Sequence, residues 1–192
     1  EQVFISYEGQ EGLAQVKGVD WIYEDESPIR DHVVEGSFSL HKGDVPLAAV
    51  GAGLAYKMGI NPRFVTPIEI YFPNRKDRIS VANPSASLEM VRVWPSSVFS
   101  VSADVDESTV IIPIESMWEL LEYEQQEVSG IEIRMTEGTG SKEIERLQGE
   151  ISDRLGSGFK VKDRAQQNES LYKMMKYEKA AIYLDIYRGV SQ

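Results

Sequence analysis

The chain has 192 residues, of which 42% are hydrophobic and 27% are charged, enough for one substantial core or two small lobes. Acidic residues number 31 and basic residues 20, and the resulting net charge of −11 disfavours nucleic acid as a partner because a phosphate backbone is repelled. The sequence contains no cysteine, which excludes a disulfide framework, a thiolate metal site and a cysteine nucleophile.

The first elements that the sequence predicts are a β-hairpin and a helix. Apolar runs at 3–7 and 13–19 flank a glycine-punctuated polar stretch, which is typical of a hairpin. Residues 46–59 predict a helix, since Pro46 suits a first turn and Gly59 suits the position after a last turn. Within it, Gly51 and Gly53 form part of a phosphate-loop fingerprint. The third glycine is missing, so close packing of the helix explains them better.

The middle of the chain predicts β-structure followed by a helix. Residues 64–72 read as a strand, and Pro67 places that strand at a sheet edge or a bulge. Short strands at 98–101 and 110–112 flank an acidic turn at 104–107. Residues 114–124 have apolar side chains at helical spacing and predict a helix.

The segment 74–95 is too long for a tight turn between two strands. It combines a basic cluster with a proline and with apolar residues that are expected to be exposed. These residues are Arg75, Lys76, Arg78, Pro84, Leu88, Met90 and Trp94. A positive patch beside apolar side chains on an acidic domain indicates a docking site for a partner protein. The alternative is an ordinary hairpin with a solvated tip.

The last third of the chain predicts strand, helix, strand and helix. Residues 128–135 alternate strictly, which indicates a strand with one buried face. Ser141 can cap a helix over 141–155, and 159–161 reads as a short strand. Asp163 and Gln166 have the spacing of a capping box for a final helix, and Asn168 is an equally good cap for it.

Shifts in composition divide the chain into two lobes. They predict an α+β fold with an outer lobe built from both chain ends, 1–40 and 128–184. A β-rich middle lobe, 41–127, is inserted between these segments, and its loop at 74–95 is expected to project. Residues 185–192 form a tail.

The final helix carries lysines along one side and aromatic residues beside them. These residues are Lys173, Lys176, Tyr177, Lys179 and Tyr183. One interpretation is a solvated lysine edge next to a core face. The other is a helix that enters a membrane, with lysines reaching lipid phosphates and tyrosines in the interfacial belt.

Candidate catalytic and metal-binding residues are few. His32 and His41, with Asp31 or Asp44, contain the donor types of a metal site but lack helical spacing, so surface histidines explain them better. The acidic stretches at 24–26 and 104–107 lack the spacing of a calcium loop. No Gly-x-Ser-x-Gly motif is present, and no carboxylate pair is singled out. A carboxylate-dependent or metal-dependent hydrolase remains an alternative, and no cofactor is expected.

Five motifs in a fixed order point to a known family. They are Val16-Lys17-Gly18-Val19-Asp20, Val50-Gly51-Ala52-Gly53-Leu54-Ala55, Ile68-Glu69-Ile70-Tyr71-Phe72-Pro73, Val128-Ser129-Gly130-Ile131-Glu132-Ile133 and Leu171-Tyr172-Lys173-Met174-Met175-Lys176-Tyr177-Glu178-Lys179. In order and spacing the chain resembles the periplasmic domain of lipoprotein-releasing ABC transporter permeases of the LolC/LolE type, within the MacB/FtsX-like permease superfamily. The resemblance covers residues 7–184.

This resemblance implies a non-catalytic domain of the bacterial inner membrane that faces the periplasm. Its implied partners are a periplasmic lipoprotein carrier, the lipoprotein substrate, a second permease subunit and a cytoplasmic ATPase that hydrolyses ATP. The loop at 74–95 occupies the place where the family hooks the carrier, and the final helix leads into a transmembrane helix. A MacB-like efflux domain or an FtsX-like regulatory domain is the alternative within the superfamily.

The chain departs from the family pattern at two places. Family members have a further strand and helix before the position of Val3, and they continue apolar after Leu184, where this chain turns polar. An outer lobe without that strand is expected to have an unpaired sheet edge.

Overall fold

The computed structural model describes residues 1–74, 88–125 and 127–167, without the side chains of residues 164 and 165. The chain forms two compact units, Glu1–Ser129 and Gly130–Gln192. Both helices and strands are present, which confirms the α+β class.

The first unit contains eight strands and four α-helices among its described residues. The strands are β1 (Gln2–Tyr7), β2 (Gln10–Val19), β3 (Val33–Gly36), β4 (His41–Lys42), β5 (Val45–Gly51), β6 (Ile68–Pro73), β7 (Leu88–Phe99) and β8 (Thr109–Pro113). The helices are α1 (Trp21–Glu26), α2 (Ala52–Met58), α3 (Ala103–Asp106) and α4 (Ile114–Leu121), with a 3-10 helix at Pro28–His32.

Six of these strands close into a barrel in the order β1-β2-β8-β5-β7-β6. The pairs β2–β8 and β5–β7 are parallel, and the other neighbours around the barrel are antiparallel. β3 pairs with the last residues of β7 and β4 pairs with β5, so both lie outside the closed ring. The barrel contains six of the eight described strands of the first unit, and its closure leaves none of these six at a free sheet edge.

Two hydrophobic clusters lie on opposite faces of the sheet. The inner cluster fills the barrel and includes Ile5, Val16, Ile70 and Val93. The outer cluster packs the segment 19–40 against the outside of β5, β7 and β8. Its buried members are Val19, Phe38, Leu40, Ala49, Phe99 and Ile111. Because successive residues of a strand point to opposite faces, β8 supplies Ile112 to the inner cluster and Ile111 to the outer one.

α2 begins at a place where the backbone of β5 passes very close to α3. A Cβ atom at Gly51 would lie 2.5 Å from the carbonyl oxygen of Asp106, and one at Gly53 would lie 3.0 Å from the Glu107 side chain. Gly59 ends α2 with a φ of 70°, in the left-handed region that favours glycine. The interpretation of Gly51 and Gly53 as close-packing residues is confirmed, as is the end of the helix at Gly59.

The second unit contains α5 (Ser141–Leu155) and α6 (Arg164–Gln167). Arg146 pairs on the surface of α5 with Glu143, at 2.6 Å, and with Glu150. The predicted capping box is confirmed: Gln166 N donates to Asp163 Oδ1 over 2.7 Å, and Asp163 N donates to Gln166 Oε1 over 3.2 Å. Gly140 takes the N-cap position of α5, so Ser141 is its first helical residue and not the cap.

Several predicted elements are confirmed in their type and place. The N-terminal hairpin forms as β1 and β2, paired from Gln2–Gln15 to Tyr7–Gln10. The helix expected at 114–124 forms as α4, the helix expected at 141–155 forms as α5, and the strand at 110–112 lies within β8.

Three predictions in the first unit are wrong. Residues 46–51 belong to the strand β5 and not to a helix. Ala48 and Ala49 are buried on opposite faces of β5, and a strand that is buried on both faces lacks the alternation of apolar and polar residues by which a strand is recognised. β6 begins only after Pro67 and is paired on both sides, so it is not an edge strand. Residues 88–95 belong to β7 and not to a loop, and Pro95 sits beside a register shift against β5.

Two predictions in the last third of the chain are also wrong. Residues 128–135 and 159–161 form no strand, and they pair with no strand among the residues that the structure describes. A strand needs a hydrogen-bonded neighbour, so the alternation alone is not sufficient. Ile131 is 82% exposed and Ile133 is 60% exposed, in place of the buried face that the alternation predicted.

The predicted lobes differ from the observed units. β1, β2 and β3 come from the segment 1–40, yet they share one sheet with strands from 41–127, so position 40 is not a boundary. The observed division after Ser129 lies close to the predicted boundary at 127/128.

Candidate docking surface

A row of apolar side chains crosses the outside of four neighbouring barrel strands. The register places Phe4 of β1 opposite Leu13 of β2 and opposite Tyr71 of β6, and it places Tyr71 opposite Met90 of β7. We call Leu13, Phe4, Tyr71 and Met90 the apolar belt. These four strands make up two-thirds of the six-stranded ring, so the belt curves around the barrel instead of lying on a flat face.

The belt is open to solvent. Leu13 is 62% exposed and Phe4 is 39% exposed, while Tyr71 and Met90 are half-buried. The rings of Phe4 and Tyr71 are in contact, with centroids 6.2 Å apart and planes tilted by 56°. Contiguous exposed apolar side chains of this kind mark a surface for interaction with another molecule.

A polar row runs beside the belt on the same four strands. The register aligns Glu11, Ser6, Glu69 and Arg92 across them. Arg92 donates to Glu69 Oε1 from Nε over 3.0 Å and from Nη2 over 2.9 Å, and the hydroxyl of Tyr71 donates to Glu69 Oε2 over 2.7 Å. The bond from Tyr71 and those from Arg92 lower the pKa of Glu69, and the bond to Glu69 raises the pKa of Tyr71.

The hairpin formed by β6 and β7 ends next to the belt. Its last pair is Pro73–Leu88, one pair beyond Phe72–Glu89, and Asn74 Nδ2 donates to Glu89 Oε1 over 2.7 Å. Leu88 is exposed and points to the same side as Met90. The two ends of the segment 74–87 are therefore held by a paired and packed ladder.

The predicted loop site is only partly within the described residues. Leu88 and Met90 lie on β7, on the outer side of the hairpin, where Met90 joins the apolar belt. Arg75, Lys76, Arg78 and Pro84 lie outside the described residues. The indole nitrogen of Trp94 donates to the carbonyl of Val65 over 3.0 Å, so Trp94 supports a neighbouring loop.

The predicted membrane-proximal site lies wholly outside the described residues. It comprises Lys173, Lys176, Tyr177, Lys179 and Tyr183. Of the final helix, the structure describes the capping box and the first turn at Arg164–Gln167.

The two histidines are not brought together as ligands of one metal. His41 lies between two carboxylates, with Nδ1 3.3 Å from Glu24 and Nε2 3.7 Å from Glu115. The two carboxylates face opposite sides of the imidazole ring. A single metal ion therefore cannot bind Glu24 and Glu115 together at His41 in this arrangement. The carbonyl of His32 accepts from Ser100 N over 2.9 Å. Within 1–74, 88–125 and 127–167, no group of three or more side chains is placed to hold a metal ion.

Both acidic stretches have structural roles. Asp106 is buried and accepts from Ser100 Oγ over 2.7 Å and from Val101 N over 2.8 Å, so it closes the turn between β7 and α3. Glu24 Oε1 accepts from Leu40 N and Ser39 Oγ, each over 2.9 Å. Burial opposes ionisation of Glu24, but these hydrogen bonds and the contact with His41 outweigh it and lower its pKa.

Phe4, Leu13 and Tyr71 were missed as site residues by the sequence analysis. The strands β1 and β2 that carry Phe4 and Leu13, and the strand that carries Tyr71, were predicted. In β1 the available signal was Phe4, an apolar residue on the face opposite to the buried Val3, Ile5 and Tyr7. Such residues are buried where a segment covers the sheet and exposed where none does, and the sequence does not show which strands are covered.

No protein-family model matches the chain, and a search of curated proteins finds no match to it. Among the described residues, no helix combines the length and apolarity needed to span a bilayer.

Proposed function

We propose that this chain is the extracytoplasmic domain of an ABC transporter permease that releases lipoproteins from the inner membrane and passes them to a periplasmic carrier. The domain binds the carrier and transmits movement between subunits, and ATP hydrolysis takes place on a separate cytoplasmic subunit. The proposal rests on the five ordered motifs quoted above and on the hairpin of β6 and β7.

The observation that carries the proposal is the end of the β6–β7 ladder. Pro73 and Leu88 are the last paired residues of that ladder, and the segment 74–87 connects them in the sequence. The sequence of this segment contains three basic residues, Arg75, Lys76 and Arg78, and Leu88, the strand residue that follows the segment, is exposed. Apolar contacts supply affinity and the charges supply orientation and association rate, a combination that suits transient docking of a soluble carrier.

The test is a binding measurement with the purified carrier. The triple variant Arg75→Glu, Lys76→Glu and Arg78→Glu is expected to weaken binding by at least about tenfold, because three attractive charges become repulsive. The free energy of unfolding should change by no more than about 0.5 kcal/mol, as for other surface substitutions. Titration of the labelled carrier gives the affinity, and urea unfolding gives the stability.

A matched control changes the same net charge at another place. Lys142, Arg154 and Lys160 are exposed in the second unit, and their replacement by glutamate is expected to leave carrier affinity within about threefold of wild type. Equal losses in both triple variants would show a general charge effect and would contradict docking at 74–87. Unchanged affinity in the first variant would contradict it as well.

A further inference from the structure

The loop 61–67 presents three consecutive exposed side chains between two prolines. Arg63, Phe64 and Val65 are exposed, and Pro62 and Pro67 flank them. Phe64 is 54% exposed and Val65 is 89% exposed. Adjacent apolar side chains at a loop tip are uncommon on a soluble surface, where turns are mostly polar.

The loop is fastened by its own turn and by a neighbouring strand. Asn61 accepts Arg63 N at Oδ1 over 2.9 Å and Phe64 N at its carbonyl over 3.1 Å, which forms a tight turn. The indole of Trp94 donates to the carbonyl of Val65 over 3.0 Å. Polar groups therefore hold the backbone of the tip.

Two further contacts tie the loop to other parts of the barrel. Thr66 Oγ1 donates to Glu8 Oε1 in the β1–β2 turn over 2.7 Å, and Arg63 Nε lies 3.2 Å from Glu35 Oε1 of β3. The tip is thus already ordered in the free protein, so its burial in a binding partner or a membrane costs little additional conformational entropy.

We propose that Phe64 and Val65 insert into the interfacial region of a lipid bilayer. Two side chains offer too little area for a stable protein interface, which needs about 800 Å² on each partner. A bilayer instead accepts a small apolar tip, with an aromatic ring at the headgroup level and the Arg63 guanidinium near the lipid phosphates. The net charge of −11 predicts a preference for neutral over anionic lipid.

The position of the tip leaves the docking surface free. The loop lies before Ile68 at the start of β6, and the segment 74–87 begins after Pro73 at its end. A six-residue strand separates them by roughly 17 Å. Lipid contact at the tip and partner binding at the belt and hairpin are therefore compatible. Lipid contact by Phe64 and Val65 involves the first unit alone and does not require the proposed function.

The absence of cysteine permits a direct test. In the full chain, Val65→Cys is labelled with an environment-sensitive fluorophore and titrated with phosphatidylcholine vesicles. We expect a blue shift and a rise in emission at millimolar lipid, and the added substitution Phe64→Ser should raise the half-saturating lipid concentration about tenfold. Vesicles rich in phosphatidylglycerol should give a smaller signal than neutral ones.

Leu13→Cys, labelled in the same way, is the matched control because Leu13 is also an exposed apolar residue. Its emission should not respond to lipid. Three results would overturn the proposal: no response at position 65, an equal response at position 13, or a response at position 65 that depends on protein concentration without lipid. The last result would assign the tip to contact with a second copy of the chain.

Discussion

The outer surface of the barrel has two halves that differ in what covers them. On β5, β8 and the end of β7, the segment 19–40 buries Ala49, Ile111 and Phe99, and Leu40 is 1% exposed. On β1, β6, the start of β2 and the start of β7, nothing in the described residues covers Phe4 or Leu13. Outward apolar residues therefore form part of the core in one half and a free surface in the other.

This difference separates stability from binding in the same barrel. Burial of a large side chain contributes to folding, whereas an exposed one contributes little until a partner covers it. We expect substitutions in the covered half to unfold the first unit, and substitutions in the uncovered half to leave it folded with a weaker affinity for a partner.

The largest effect is expected for Phe99→Ala. Phe99 is fully buried in the outer cluster, so its truncation should cost about 3–5 kcal/mol of unfolding free energy. Phe4→Ala is the matched change in the uncovered half, where a loss of no more than about 1 kcal/mol is expected. Trp21, Trp94 and Trp118 all lie in the first unit, so tryptophan fluorescence during urea unfolding reports on it. Equal losses of unfolding free energy in the two variants would contradict the distinction between a covered and an uncovered half of the barrel.

A smaller loss is expected for Gly51→Ala, which tests the close approach of β5 to α3. The added Cβ would meet backbone atoms of Asp106 at 2.5 and 2.8 Å, so the chain must shift at a cost of about 1–3 kcal/mol. Gly149→Ala, inside α5 with open space around the added atom, should instead stabilise its helix by up to about 1 kcal/mol. Circular dichroism during thermal unfolding measures both. A neutral Gly51→Ala would show that the two segments are not in contact.

The covering segment should also respond to pH through Glu24. Its folded pKa lies below the unfolded value, so its stabilising contribution is complete above the unfolded pKa of about 4.3 and disappears as the pH falls through the folded pKa. Glu24→Gln should cost about 1 kcal/mol at pH 7, and this cost should shrink as the pH falls below the unfolded pKa. Urea midpoints over a series of pH values give this trend, and a cost that does not change with pH would assign another role to the side chain.

The smallest effect is expected for the ion pair in the uncovered half. Arg92 is half-exposed, so Arg92→Ala should change the free energy of unfolding by about 0–1 kcal/mol, and the change should shrink at high salt. Urea unfolding at low and high ionic strength gives both values. A larger loss that is insensitive to salt would mean that Arg92 is a packing residue and that this half is not open.

The sequence predicted correctly those elements that depend on residues close together in the chain. Examples are the hairpin of β1 and β2, the amphipathic helices α4 and α5, and the reciprocal bonds between Asp163 and Gln166. Predictions failed where tertiary contacts decide. β5 is buried on both faces and resembles a buried helix, and β7 continues through Pro95 because its partners change there.

The candidate docking surface was predictable only in part, because tertiary contacts also decide which of its residues are neighbours and which are exposed. The segment 74–95 was predicted as a docking site because its basic residues stand out in the sequence, and Leu88 and Met90 were part of that prediction. The belt residues on β1 and β2 are distant in sequence from that hairpin, and only strand pairing brings Phe4 beside Tyr71. Their exposure depends on where the segment 19–40 packs, which is a property of the whole first unit.

The most direct test of the candidate docking surface is photocrosslinking from single positions to the carrier that the proposed function requires. A photoreactive benzoylphenylalanine at position 4, 13 or 90 lies in the apolar belt, and one at position 56 replaces Tyr56, which is 92% exposed on α2. We expect crosslinks from the three belt positions and none from position 56. Crosslinks of equal yield from position 56, or none from the belt, would contradict this expectation.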